Sequence, residues 1–88
     1  MLALPDTLTQ DQARACLEQL NSGLGAEASQ VVVDGTKLRS FDSSALAVLL
    51  EFRRECARAG KRFAVHGLPQ RLRDLATLYG IEGLLPSA

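Results

Sequence analysis

QVVVDGTKLRSFDSSALAVLL, residues 30–50, joins two hydrophobic patterns of different period and thereby decides the fold. Val31, Val32 and Val33 are consecutive β-branched residues, which lose rotamer freedom in a helix and suit a strand. An unbroken apolar run between Gln30 and Asp34 fits a strand covered on both faces. Beyond Asp42-Ser43-Ser44 the period becomes helical, over roughly 43–59. Ala45, Val48, Leu49, Phe52 and Cys56 share one face, widened by Leu46 and Leu50, while Glu51, Arg54, Glu55 and Arg58 take the other. Gly60 is the expected stop.

The alternation continues on both sides. Met1-Leu2-Ala3-Leu4 reads as a short strand ended by Pro5 and Asp6. Thr7 or Thr9 can cap a helix over 10–21, where Ala13, Cys16, Leu17 and Leu20 recur at helical spacing and Asn21-Ser22-Gly23-Leu24-Gly25 is stop and loop chemistry. Thr36 to Ser40 is polar and turn-like, with Leu38 packing inward. Arg62 to Gly67 reads as a third strand. Pro69 opens a third helix at its first position, with Leu72, Leu75, Ala76 and Tyr79 as its stripe and Gly80 as its stop. The apolar tail, Ile81 to Leu85, packs back on the body. The expected order is β-α-β-α-β-α, an α/β domain whose sheet contains parallel pairs.

With 88 residues the chain is expected to form a single domain, 1–88, without linker or repeat. Aromatic residues are 5% and Trp is absent, so the core must be aliphatic. Ten basic and ten acidic residues cancel, which removes the electrostatic footprint expected for nucleic acid or anionic lipid. Arg53, Arg54, Arg58, Lys61, Arg62, Arg71 and Arg73 crowd the second half; they read as a solvated helix face, with a small basic patch as the alternative. Cys16 and Cys56 lie among apolar neighbours without metal-ligand spacing, so neither a disulfide scaffold nor a zinc site is expected. The apolar run Ala45–Leu50 is too short to span a bilayer, and no leader is visible, so a cytoplasmic location without membrane insertion is expected.

Catalytic chemistry is thin. His66 is the only histidine, ends a predicted strand and has no evident nucleophile partner, so it reads as structural. Gly23 and Gly25 follow a helix rather than a strand and lack the Gly-Lys-Ser/Thr of a phosphate loop. No cofactor, metal site or enzymatic activity is expected. Asp42-Ser43-Ser44 has two readings. It is a helix N-cap with a spare hydroxyl, or it uses the free N–H donors of a helix start to present a serine for contact or phosphorylation, which would add about −2 charge.

Val31-Val32-Val33-Asp34-Gly35 followed by Phe41-Asp42-Ser43-Ser44-Ala45-Leu46-Ala47-Val48-Leu49-Leu50 resembles the STAS domain of anti-sigma factor antagonists and sulphate-transporter tails. Gly60 to Leu68 looks like that family's next strand and Leu72 to Ile81 like its last helix; the first helix fits in position only. The resemblance implies a STAS-like sandwich with a mixed or parallel sheet, and a non-catalytic binding role. Two departures stand out: Ala45 replaces the usual Gly, and the family's first β-hairpin is mostly missing, which would leave an exposed sheet edge for a partner or a homodimer.

Leu75-Ala76-Thr77-Leu78-Tyr79 and Leu85-Pro86 are most similar to the small cytoplasmic STAS subunit of the bacterial lipid-asymmetry (Mla-type) phospholipid ABC transporter. That likeness implies an ABC transporter ATPase subunit as partner, a location peripheral to the inner membrane through the complex, and Ser43 as the hydroxyl at the contact. The surrounding partner-binding residues would be Asp42, Ser44, Ala45 and Leu46. The alternative is an anti-sigma factor antagonist whose partner kinase phosphorylates Ser43. The serine motif fits that alternative slightly better; the Leu-Tyr helix and the short start favour the transporter subunit. An unrelated small α/β enzyme is the third reading and lacks an acid–base pair.

Overall fold

The computed structural model describes residues 1–88. Its elements are β1 (Leu2–Ala3), β2 (Thr7–Leu8), α1 (Gln10–Leu24), β3 (Gln30–Asp34), β4 (Ser40–Phe41), α2 (Ser44–Arg58), β5 (Arg62–His66), α3 (Gln70–Leu78) and a 3-10 turn (Glu82–Leu84). β3 is the centre of a sheet ordered β1-β3-β5. Both of its pairings are parallel, with Val33 opposite Leu2 and Val65. Two parallel neighbours require two crossovers, and right-handed crossovers taken in the same direction put both helices on one face. α1 and α2 accordingly pack against each other.

The strand expected to be covered on both faces is buried unevenly. Val31 and Val33 are fully buried, whereas Val32 and Asp34 are half-buried. The β3 side chains alternate, and the face toward α1 and α2 carries the main core. Phe52 of α2 lies at its centre, edge-on to Phe63 with ring centroids 6.2 Å apart. Leu4, Leu8, Leu49, Leu72, Val31, Val33 and Val65 complete it, with the thiols of Cys16 and Cys56 buried and unpaired. Burial pushes both thiols up from their ordinary value.

The chain has two strands more than the expected order. Pro5 ends β1, but the chain resumes one step away: β2 pairs in parallel with β4, Thr7 opposite Ser40 and Leu8 opposite Phe41. The Asp6 carbonyl accepts from the N–H groups of both Arg39 and Ser40, at 2.8 and 3.0 Å, and leads into this ladder. The turn-like segment 36–40 therefore ends in a strand. Leu38 packs inward as its apolar character requires.

Helix limits differ in informative ways. α1 continues past Asn21 to Leu24. Gly23 sits inside it because Leu2 of β1 packs there; a Cβ would meet Leu2 Cδ2 at 2.6 Å. The helix ends at Gly25, within the stretch expected to stop it, and Lys61 Nζ donates to the carbonyls of Leu24, its last residue, and Glu27, at 2.8 and 2.7 Å. Gly60 and Gly80, at φ 72° and 71°, do end α2 and α3 as expected. In each case the next residue's N–H returns to the last turn, Lys61 to Cys56 and Ile81 to Ala76, which is the Schellman pattern. Pro69 precedes α3 as its cap rather than occupying its first position, since its ψ of 143° is extended.

The tail packs back as expected. Leu85 is buried, and Pro86 to Ala88 lie along β5, whose Val65 N–H donates to Pro86 and whose carbonyl accepts from Ala88, both at 2.8 Å. The free edge of β5 is thereby occupied, and the outer edge of the sheet is the two-residue β1. No helix is long and apolar enough to cross a membrane.

Because Phe52 is fully buried at the α2–β5 contact, Phe52→Ala should cost about 3–5 kcal/mol through lost burial and a residual cavity. Urea denaturation followed by far-UV circular dichroism measures this; a midpoint equal to wild type would contradict the assigned core.

Candidate functional site

Parallel pairing of β2 with β4 has a geometric consequence. Each strand runs directly into a helix, so α1 and α2 start side by side at the same end of the molecule. Asp42 and Ser43 lie between β4 and α2, and the Asp42 carboxylate serves both starts. Oδ1 accepts from the Ser44 N–H at 2.8 Å, and Oδ2 accepts from the Gln10 N–H at 3.3 Å. One side chain thus supplies acceptors to donors that two helices would leave unmatched.

The rest of each helix start is satisfied locally. Gln12 Oε1 accepts from the Thr9 N–H and hydroxyl at 2.9 and 2.7 Å, which decides between Thr7 and Thr9 as the α1 cap. In α2 the Ala45 N–H reaches the Asp42 carbonyl, and those of Leu46 and Ala47 reach the Ser43 carbonyl. The free donors expected at this helix start are therefore already taken, chiefly by Asp42 and Ser43. Asp42 is the residue that caps by its side chain, whereas Ser43 has helical backbone angles and its hydroxyl makes no capping bond.

The five residues singled out from the sequence separate into two sets. Asp42 and Ser43 are exposed and Ser44 is half-buried, while Ala45 and Leu46 are 0% and 3% exposed and belong to the core. A side chain larger than Ala45 would have to enter that core. The reachable surface is Asp42, Ser43 and the edge of Ser44. Phe41, half-buried at the end of β4, carries the Arg71 guanidinium over its ring, 5.3 Å from the centroid, so α3 also contributes its first turn to this surface. Thr9, Gln10 and Arg71 are the members that sequence reasoning did not find. Only the β2–β4 pairing and the docking of α3 bring them here, and neither has a local signal.

The Ser44 N–H holds the Asp42 carboxyl below its usual range; desolvation opposes it, and the Ser44 hydroxyl and the Gln10 N–H add smaller contributions in the same direction as the Ser44 N–H. The surface therefore presents a fixed carboxylate, an adjacent free hydroxyl and a nearby guanidinium. It can form directional hydrogen bonds and ion pairs with another protein. Elsewhere, His66 is exposed at the end of β5, and no group of three His, Cys, Asp or Glu side chains is placed to hold a metal ion.

A short parallel sheet, helices whose crossovers share one face and a polar helix-start surface define a small α/β binding module. The family model described as "Mlab, STAS domain" matches residues 1–86, and the chain belongs to the STAS-domain family. Members of that family are in general non-catalytic binding or regulatory modules. No curated protein matches the chain.

The pH dependence of stability follows from Asp42. Its folded-state pKa is lowered, so its contribution is complete above the ordinary carboxylate range and disappears as pH falls through the lowered value. Asp42→Asn should be less stable than wild type near neutrality, and the gap should close on acidification. Urea midpoints from pH 7 to pH 2.5 test this; a gap that is constant with pH would show that the carboxylate charge is not what matters.

Proposed function

We propose that this chain is a non-catalytic accessory subunit that binds the ATPase of a phospholipid-transporting ABC system. In this reading it docks through Asp42 and Ser43, with Ser44, Ala45 and Leu46 behind them, and it lies peripheral to the inner membrane by way of that partner. The observation that carries the reading is the Asp42 carboxylate held between two helix starts beside an unbonded, exposed Ser43 hydroxyl. An exposed polar pair fixed by backbone bonds loses little freedom when a partner covers it, so it is suited to specific docking. The description of the matching family model and the Leu78-Tyr79 end of α3, which is exposed, agree with the transporter class. Ala45 and Leu46 act in this account by fixing α2 in the core beneath the contact.

A second reading, an anti-sigma factor antagonist, is favoured by one observation: the Ser43 hydroxyl is free and accessible as a phosphate acceptor. A phosphate there would stand beside the Asp42 carboxylate, and the repulsion would break a close fit. The two readings differ in the partner, an ABC ATPase or a serine kinase.

Ser43→Asp places a second carboxylate at the same point while the helix start tolerates the charge. It should keep the fold and weaken capture of the ATPase at least tenfold, about 1.4 kcal/mol. Equal capture by Ser43→Asp and wild type would overturn the site, and capture of a serine kinase in place of the ATPase would select the second reading. The purified chain should not hydrolyse ATP; turnover that co-elutes with the chain would contradict a non-catalytic role.

A further inference from the structure

The crowd of basic residues in the second half does not form an evenly solvated face. Arg54 and Arg58 do behave that way, each paired with a glutamate one turn earlier on α2, Glu51 and Glu55. Arg53 and Arg62 are different. Neither has a carboxylate within ion-pair distance, and together with Lys61 they line one groove of ≈ 360 Å³ whose lining contains no acidic residue. The two unpaired guanidiniums beside one space repel each other, and an anion placed between them removes that repulsion.

The walls are built from anchored parts. Lys61 is anchored by the bonds from its Nζ to the carbonyls of Leu24, at the end of α1, and Glu27, in the loop beyond it, so its ammonium is turned away from the groove that the rest of the residue helps to line. Ala57 and Phe63 supply an apolar floor, and Gly83 and Pro86 close the far side. The tail is fixed there by buried Leu85 and by its bonds to Val65. Arg53 lies about 14 Å along α2 from Ser44, so this groove is separate from the Asp42–Ser43 surface and does not depend on the reading given to it.

We propose that the groove between α2, the start of β5 and the tail is a binding site for a phosphate-bearing anion. The two free guanidiniums supply forked donors that match phosphate oxygens, and the apolar floor takes the carbon attached to the phosphate. The groove is within the size range of small-ligand sites. Its phosphate can come from a soluble ester or from the headgroup of an anionic lipid.

Titration calorimetry with inorganic pyrophosphate, and co-sedimentation with phosphatidylcholine vesicles with and without phosphatidylglycerol, separate these sources. Both arginines are exposed, so Arg53→Ala/Arg62→Ala should keep the wild-type circular dichroism spectrum, and Arg62→Gln alone is a milder second variant. Arg14→Ala/Arg39→Ala removes the same charge elsewhere. Wild type should bind pyrophosphate saturably, the groove variant at least tenfold more weakly, and the control within twofold of wild type. Retention on phosphatidylglycerol vesicles that the groove variant alone loses would place the phosphate on a lipid. Absence of saturable binding in both arms, or equal losses in the groove and control variants, would overturn the proposal.

Discussion

Parallel pairing of β3 on both edges is the constraint on which the rest of this small domain depends. A strand with parallel neighbours cannot be reached by tight turns, so each neighbour requires a crossover, and α1 and α2 supply them. Their common direction places both helices over Val31, Val33 and Val65, which gives 88 residues one concentrated aliphatic core in place of two thin ones. The second parallel pair, β2 with β4, is only two residues long but sets the starts of the two helices beside each other. With α1 and α2 also packed along their lengths, the two starts open at a common end.

Asp42 turns that coincidence of helix starts into a surface. Its two oxygens connect the backbone of α1 to that of α2, so the polar site is tied to the same two helices that cover the sheet. In the proposed reading a partner would meet a group already held in place by both helices. The chemistry is that of recognition: a carboxylate kept charged by N–H donors, a hydroxyl left free, and an arginine stacked on Phe41.

Much of the fold was legible because periodicity is a long-range average. β3, β5, α2 and α3 repeat their signals over enough residues to be read, and Gly60 and Gly80 mark their ends with a conformation other residues rarely adopt. What escaped reading was short or non-local. Ser40-Phe41 and Thr7-Leu8 have no period of their own and exist as strands only because they meet. Gly23 looked like a stop, yet it is where Leu2 approaches α1; the helix ends two residues later at Gly25, and Lys61, distant in sequence, donates to its last carbonyl. At the site, Asp42 and Ser43 were visible as helix-start chemistry, and the family resemblance gave them a role. Their division of labour was not visible: Asp42 caps, Ser43 stays free, and Ala45 and Leu46 turn inward. Thr9, Gln10 and Arg71 arrive through pairing and packing alone.

In the proposed function the joint start of α1 and α2 is the docking surface. Amide hydrogen exchange of the chain, alone and with the ABC ATPase, tests it most directly. The account predicts slowed exchange concentrated in peptides covering residues 7–13 and 40–47, with the start of α3 following and residues 28–34 unchanged. Complex formation that leaves those peptides unchanged and protects a different surface would contradict it.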